Sequence, residues 1–298
     1  MYRKNFMGLE SFTWFIGVVE NRIDPLNMNR VQIRCFGWHT DNKQLIPTDK
    51  LPWSQPMVPV NGSLTTGTAQ EGDYVFGFFL DGQSGQAPCI MGVLPGIPQE
   101  YVNNEKGFTD PRTKDELKVS PKKPEINVAS WSEGTANLNP TLIGEPTTSR
   151  VSRDEKIDKT LIGYRKTTLD LGVPTATGSF WNEPKTAYAA KAPYNRVTET
   201  ESGHLMEFDD TPDAERVSLA HRKGSFVEYH PDGSKVTKVI GDNYEILLQN
   251  DNVHIKGTLN LTIDGNANIL VEKNAIVVAG ISASVTAGVS ASVQAGSD

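Results

Sequence analysis

Four segments within the first hundred residues are dense in Val, Ile, Phe and Trp: "FTWFIGVVE" (12–20), "RVQIRCFGW" (30–38), "DYVFGFFLD" (73–81) and "APCIMGVLP" (87–95). They are bounded by "DPLNMN", "DGQSGQ" and "PGIP". β-Branched and aromatic side chains fit a pleated, half-buried surface, and Gly, Pro, Asn and Asp supply the turns between. None of these segments carries the i, i+3, i+4 apolar recurrence of a long amphipathic helix. The spacing predicts about five short strands closed into a small barrel, since closure removes edges that would pair with other chains. This N-terminal domain is expected over residues 1–115.

The pattern then weakens. "NNEKGFTDPRTKDELKVSPKKPEINVAS" and "NLNPTLIGEPTTSRVSRDEK" are polar and weakly periodic. Such sequence cannot bury enough apolar area to offset its ordering entropy as an independent core. An extended linker is expected over 116–195, pinned by Trp131, Phe180, Trp181, Tyr188 and Tyr194. The alternative is a disordered tether.

From 196 onward the period is two. "RVSLAHR", "SFVEYH", "SKVTKVI" and "YEILLQ" alternate in polarity and are separated by the tight turns "RKGS" and "HPDGS". A repeat follows, marked by Gly257, Gly265, Gly280, Gly288 and Gly296, with "ISASVTAG" and "VSASVQAG" as successive near-copies. Alternation sends one set of side chains inward, and glycine adopts turn conformations that cost other residues. The inward set is Leu259, Leu261, Ile263, Ile269, Val271, Val285, Val289 and Val293.

Single-chain solenoids use about 20 or more residues per coil, so an eight-residue repeat cannot enclose a core alone. Three chains, each giving one short strand per layer, would close the layer. The expectation over 196–298 is therefore a homotrimeric, intertwined β-prism, with each inward Ile, Leu or Val contributing about 1.5–3 kcal/mol when fully buried. Ala and Ser replace Leu and Ile in the last repeats, as a narrowing end requires. A flexible Ala/Ser/Gly tail is the competing reading, but it gives no reason for valines at constant parity.

The chain has 298 residues and a formal net charge of −7. No Lys/Arg run is long enough to track a phosphate backbone, so no nucleic-acid partner is expected. The two cysteines, Cys35 and Cys89, fall outside any CxxC and read as small buried hydrophobes. The N-terminal residues lack the apolar run and cleavage site of a signal peptide, and no apolar stretch approaches the ~18 residues of a membrane-spanning helix. These features predict a soluble chain.

Candidate chemistry concentrates in "ETESGHLMEFDDTPDAERV" (199–217), which sets His204 and Glu207 near Asp209, Asp210 and Arg216. Such a set can bind a divalent metal or act in acid–base catalysis. Strand alternation, however, puts Glu207 and Asp209 on one face and Asp210 on the other. The structural reading has the acids accepting backbone N–H bonds at a turn before Pro212, or pairing with Arg216 or Arg222 of a neighbouring chain. On that reading these five residues form a trimer junction that sets register, with no catalytic residue, metal or cofactor. In the barrel, Arg30, Arg34, Trp38 and His39 are the candidates for a basic, aromatic groove.

The order of barrel, linker, "ETESGH…EFDDTP…ER" and glycine-marked octads resembles the central spike of contractile bacteriophage tails, above all the T-even baseplate hub spike. It is also similar to the valine-glycine-repeat spikes of type VI secretion systems. "WFIGVVENRIDPLNMNRVQIRCFGWHTDN", "IPTDKLPWSQPMVPV" and "EGDYVFGFFLDGQSGQAPCIMGVLPG" resemble that family's oligosaccharide/oligonucleotide-binding (OB) barrel. The resemblance implies an all-β virion protein of the tail baseplate, assembled in the host cytoplasm. It implies a homotrimer docked by its barrel on a separate hub protein, capped at its tip by a small protein, and driven through the host outer membrane.

Three departures qualify the resemblance. The T-even spike carries a lysozyme domain between barrel and prism, and here only linker-like sequence stands in that place, so its muralytic activity is not expected. The secretion-system relatives carry a fused hub ahead of the barrel. Some short phage spikes hold a tip iron with His-x-His, which His39, His204, His221, His230 and His254 do not form. The competing functions are a tail-associated glycan-degrading enzyme and a spike of a secretion apparatus.

Overall fold

The computed structural model describes residues 12–60, 67, 69–99, 103–112, 144, 146–167, 172–200 and 202–294. It is nearly all β. The chain divides into two units, one from Met1–Leu171 and Asn182–Asp251, the other from Gly172–Trp181 and Asn252–Asp298.

The first unit opens with a closed barrel of five strands: β1 (Trp14–Asn21), β2 (Val31–Cys35), β3 (Trp53–Pro56), β4 (Tyr74–Phe79) and β5 (Pro88–Leu94), in the order β1-β2-β3-β5-β4. Four of these fall in the expected segments. The fifth, β3, lies between prolines in "LPWSQP", where its pattern gives little strand signal; it pairs parallel to β5 through Gln55 and Pro56. Proline is tolerated there because the pairing is short and ends at Pro56.

Phe15, Val19, Val31, Ile33, Cys35, Val75, Phe79 and Ile90 fill the interior. Two glycines let the strands approach. A Cβ at Gly77 would come within 2.7 Å of the Phe15 ring and closer still to the Cys89 carbonyl oxygen. One at Gly17 would meet the Ile33 side chain at 2.5 Å and the Arg34 carbonyl oxygen at 2.7 Å. Both cysteines are buried and unpaired, and burial pushes the Cys35 thiol up to about 12.

The rest of this unit is a five-stranded antiparallel meander: β8 (Asn195–Glu199), β9 (Leu205–Asp209), β10 (Arg216–Ala220), β11 (Phe226–Tyr229) and β12 (Lys235–Lys238). The turns fall where the sequence places them, with Gly224 and Gly233 at positive φ. One face is covered by two short helices, α1 (Arg150–Arg153) and α2 (Leu161–Thr167), and by residues 188–190. Val151, Leu161, Ile162, Tyr188 and Ala190 pack there on Leu205, Ala220 and Phe226.

Among the described residues of 116–195, those at 150–167 and 188–190 are thus part of the sheet's core rather than an extended linker. Residues that look too polar to form a core of their own form one with the sheet. Tyr188 is the expected anchor that is buried, donating to the Val151 carbonyl at 2.8 Å, whereas Phe180, Trp181 and Tyr194 are exposed. Trp131 lies outside the described residues.

In the second unit, β6 (Gly172–Pro174) and β7 (Phe180–Asn182) form a hairpin. Residues 252–294 contain no assigned strand. Their contact with the hairpin includes a bond from the Thr262 hydroxyl to the Pro174 carbonyl at 2.6 Å.

Candidate functional site

The acidic stretch lies on β9 and the turn after it, and alternation does divide it. Glu207 and Asp209 point into the covered face and are almost fully buried, while Asp210 is exposed beside Arg196. Asp209 caps the turn before Pro212, its Oδ1 accepting from the Thr211 N–H at 3.0 Å and the Thr211 hydroxyl at 2.6 Å. Thr211 Oγ1 in turn accepts from the Lys191 N–H at 2.9 Å. Glu207 accepts from Arg216 of the same chain, so this pairing does not reach across to a neighbour.

Arg216 belongs to a buried ionic cluster on β9, β10, β11 and α2. Its Nη1 donates to Glu228 Oε2 at 2.8 Å, and Arg165 Nη2 donates to the same oxygen at 2.7 Å. Glu228 Oε1 accepts from the Ala187 N–H at 3.0 Å, Glu228 Oε2 accepts from the Thr186 hydroxyl at 3.1 Å, and His230 Nε2 lies 3.0 Å from Oε1. Asn195 bridges Glu207 to the Val151 carbonyl, both at 3.2 Å. Arg165 stacks over the Phe226 ring at 3.6 Å.

The two glutamates respond differently. Burial raises Glu207 above the ordinary carboxylate range despite Arg216 and Asn195. Burial also opposes ionisation of Glu228, but Arg165 and Arg216 together outweigh it and hold the carboxyl below that range. Two arginines and two glutamates nearly neutralise one another in a dry layer, an arrangement that fixes strand register and helix position more than it adds stability. Sequence reasoning missed Arg165 and Glu228. Glu228 shares the buried face of β11 with Phe226, but nothing local signals that Arg165, far upstream, meets it.

His204 does not join the acids. Its ring lies 4.6 Å from that of His221 and its Nδ1 accepts from the Arg222 N–H at 3.4 Å. Partial burial, with His221 and Arg222 nearby, lowers its pKa. Among the described residues no cluster of three or more His, Cys, Asp or Glu is arranged to hold a metal ion.

The barrel's four groove candidates are all engaged within the chain. Arg34 is fully buried, its Nε and Nη2 donating to Glu20 at 2.6 and 3.1 Å, its Nη1 to the Thr40 carbonyl at 2.6 Å and its Nη2 also to the Ile46 carbonyl at 2.8 Å. Glu20 also accepts from the Thr48 hydroxyl at 2.7 Å and the Phe108 N–H at 3.2 Å, so this pair ties both loops to the barrel wall. Burial works against the Glu20 carboxylate, yet Arg34 and Thr48 outweigh it and lower its pKa. Arg30 forks onto Asp24 at 3.0 and 2.7 Å and lies over the Trp53 ring. Trp38 packs on Phe79 at 4.7 Å, and His39 Nδ1 accepts from the Cys35 N–H at 2.9 Å.

The octad residues stand apart from all of this. Leu259, Leu261, Ile263, Ile269, Val271, Val285, Val289 and Val293 are every one exposed in the single chain, Val289 completely (100%). A Cβ at Gly257, Gly265, Gly280 or Gly288 would meet nothing within 4 Å. Gly296 lies outside the described residues.

Residues 37–157 match the family of the Gp5 N-terminal OB domain. Over 272 residues, 86% of its length, the chain is 40% identical to Protein Gp5 of Vibrio phage KVP40 and covers 64% of that protein. Over 112 residues, 34% of its length, it is 36% identical to the pre-baseplate central spike protein Gp5 of Enterobacteria phage T4 and covers 19% of it. The chain thus spans less than two thirds of either relative. Strands β3, β4 and β5 of the closed barrel lie within the matched region, and the similarity to a phage Gp5 protein extends through most of the chain.

Proposed function

We propose that the chain is the central spike of a contractile phage tail baseplate, a homotrimeric needle that punctures the host outer membrane when the sheath contracts. The observation that carries this reading is the octad stretch, whose eight inward-parity Leu, Ile and Val side chains are all exposed within one chain. Apolar side chains at constant parity need partners, and two further copies supply them layer by layer. The mechanism is mechanical and rests on stiffness and dense interchain burial. It uses no catalytic residue and no cofactor.

The barrel is the docking end. Its ligand-type cations are paired internally, whereas Trp14, Tyr74, Met91 and Val93 are exposed on its wall, a surface suited to a separate hub protein. A small protein capping the C-terminal end completes the assembly in the virion. The acids of 199–217 favour structure over glycan hydrolysis, since Asp209 caps a turn and Glu207 is buried against Arg216.

Sedimentation or native mass measurement on the purified chain tests the reading, and a trimer resistant to SDS until boiled is expected. A clean monomer overturns it. Hydrolysis of peptidoglycan or capsule that disappears in Asp209→Asn/Asp210→Asn would establish the enzymatic alternative instead.

A further inference from the structure

A small cleft opens beside the buried ionic cluster, where α2, residues 183–186, β11 and β12 meet. Arg165, Glu183, Thr186, Phe226, Lys238 and Ile240 are among the residues that line it. Its donors outnumber its open acceptors. Arg165 is only 6% exposed, and its Nη2 donates to Glu228 while its Nη1 donates to the Ser218 hydroxyl at 3.3 Å. Its Nε–H has no partner among the described residues. Lys238 donates to both oxygens of Glu183, at 2.7 and 2.8 Å, and an ammonium has a third N–H to give. The acceptors are already engaged. Glu228 Oε2 receives Arg165, Arg216 and the Thr186 hydroxyl, and each Glu183 oxygen receives Lys238.

An unmatched donor on a group buried this deeply is costly, and a charged one more so. The charge balance points the same way. Arg165 and Arg216 share one oxygen of Glu228, while burial raises Glu207 and so weakens the second countercharge. Burial lowers the Arg165 pKa by more than Glu228 restores it. Lys238 and Glu183 cancel each other. What is wanting beside Arg165 is one negative charge that accepts hydrogen bonds and donates none. A divalent oxyanion does not fit that balance, because the side chains of Phe226 and Ile240 offer its remaining oxygens no donor.

We infer that this cleft holds a small monovalent anion, chloride or a carboxylate of formate size, between the Arg165 Nε–H and the Lys238 ammonium. Charge-assisted bonds to both cations then tie α2 to β12. The Ile240 N–H, bonded to the Ser225 hydroxyl at 3.0 Å, lies just beyond Lys238, so the ion fastens the sheet at the end of its last strand. Every group involved belongs to one chain and to the first unit, and the inference is independent of the trimeric reading.

Hydrogen exchange on the full chain tests this, in sodium chloride, formate and gluconate at one ionic strength, gluconate being too large for the cleft. Peptides covering β12 and residues 183–187 are read against barrel peptides. Their amides are expected to exchange more slowly in chloride or formate, saturably, and roughly fivefold more slowly once the anion stands at about four times its dissociation constant. A response to chloride alone identifies a halide site and one to formate alone a carboxylate site, and either supports the inference. Lys238→Met should abolish the anion dependence, and the barrel peptides should respond to no salt.

Equal exchange in all three salts overturns the inference and leaves water in the cleft. An anion effect that survives in Lys238→Met overturns it too, by placing the ion elsewhere. Anomalous scattering from bromide in crystals of the wild-type chain needs no variant and decides the matter if Lys238→Met fails to fold. A peak beside Lys238 supports the site, and a cleft without one overturns it. A peak there with no effect on exchange marks an adventitious ion only, which overturns it as well.

Discussion

The barrel and the octads draw on the same apolar residue types and resolve them in opposite ways. In the barrel, Phe15, Val19, Ile33 and Phe79 are buried by strands of their own chain. In the octads, Leu261, Ile263 and Val289 are exposed in theirs. Apolarity and period two are common to both, so neither decides the outcome. The distance between turns decides it. Barrel strands are joined by loops long enough to carry the chain round a closed circuit, with Gly17 and Gly77 permitting close approach. Eight residues per repeat leave room for a strand and a turn but no return path.

The largest effect is expected where a partner is obligatory. In the proposed trimeric prism, Leu261→Asp/Ile263→Asp would put carboxylates from every copy into successive layers, where unpaired charge is far more costly than the apolar contact it replaces. Association should be lost on sedimentation, while the barrel's own urea transition stays in place because its core lies within one chain. Retention of the trimer would mean that these side chains are not its core, and the contrast between the two regions would fail.

Next in size is the barrel's buried pair. Arg34→Met leaves Glu20 charged and without its fork, which should cost about 3–5 kcal/mol of barrel stability. Glu20→Leu/Arg34→Met should recover much of that loss, since replacing a buried pair by apolar side chains is often close to neutral. Urea melts of the three proteins decide it. A double variant as weak as the single one would show that the carbonyls of Thr40 and Ile46, rather than Glu20, are what Arg34 serves.

Gly77→Ala isolates close approach from electrostatics. The added methyl would press on the Cys89 carbonyl and the Phe15 ring across the β4–β5 ladder, where two backbones and a packed ring have little room to yield. A loss of about 1–3 kcal/mol is expected. An unchanged melt would show that the ladder can open there.

How much of this was legible beforehand follows the same physics. Strands with strong alternation were readable, as were the turns after β10 and β11, because their signals lie within a few residues. Strand β3 was not, since its prolines mask the pattern and its partner β5 is distant in sequence. The helices α1 and α2 were read as linker because each is too short to show a face, and their burial depends on a sheet that forms some fifty residues later. In the acidic stretch, the split between Asp209 and Asp210 was visible from parity alone. That Glu207 meets an arginine of its own chain was not, because opposite charge predicts a pair without naming the chain it comes from.

The smallest effect is a difference in acid response between the barrel and the sheet. Glu20 is held below the ordinary carboxylate range by Arg34 and Thr48, so its contribution to barrel stability is complete above that range and is lost as pH falls through the depressed value. Glu207 has the opposite sign. Burial raises it, so its folded form binds a proton more readily than the unfolded chain does, and its contribution is present at low pH and lost as pH rises through the ordinary range to the raised value. Glu228, lowered by Arg165 and Arg216, follows the sign of Glu20 and offsets Glu207 within the sheet. From neutrality down to the depressed value of Glu20 the barrel transition should therefore lose more than the sheet's, the loss beginning only as pH enters the ordinary carboxylate range, and Glu20→Gln should flatten it. In Glu228→Gln the offset is removed, so the sheet should gain relative stability on acidification. Hydrogen exchange resolved by segment separates the two transitions, and equal slopes in wild type would show that the opposed glutamates do not balance as their surroundings require.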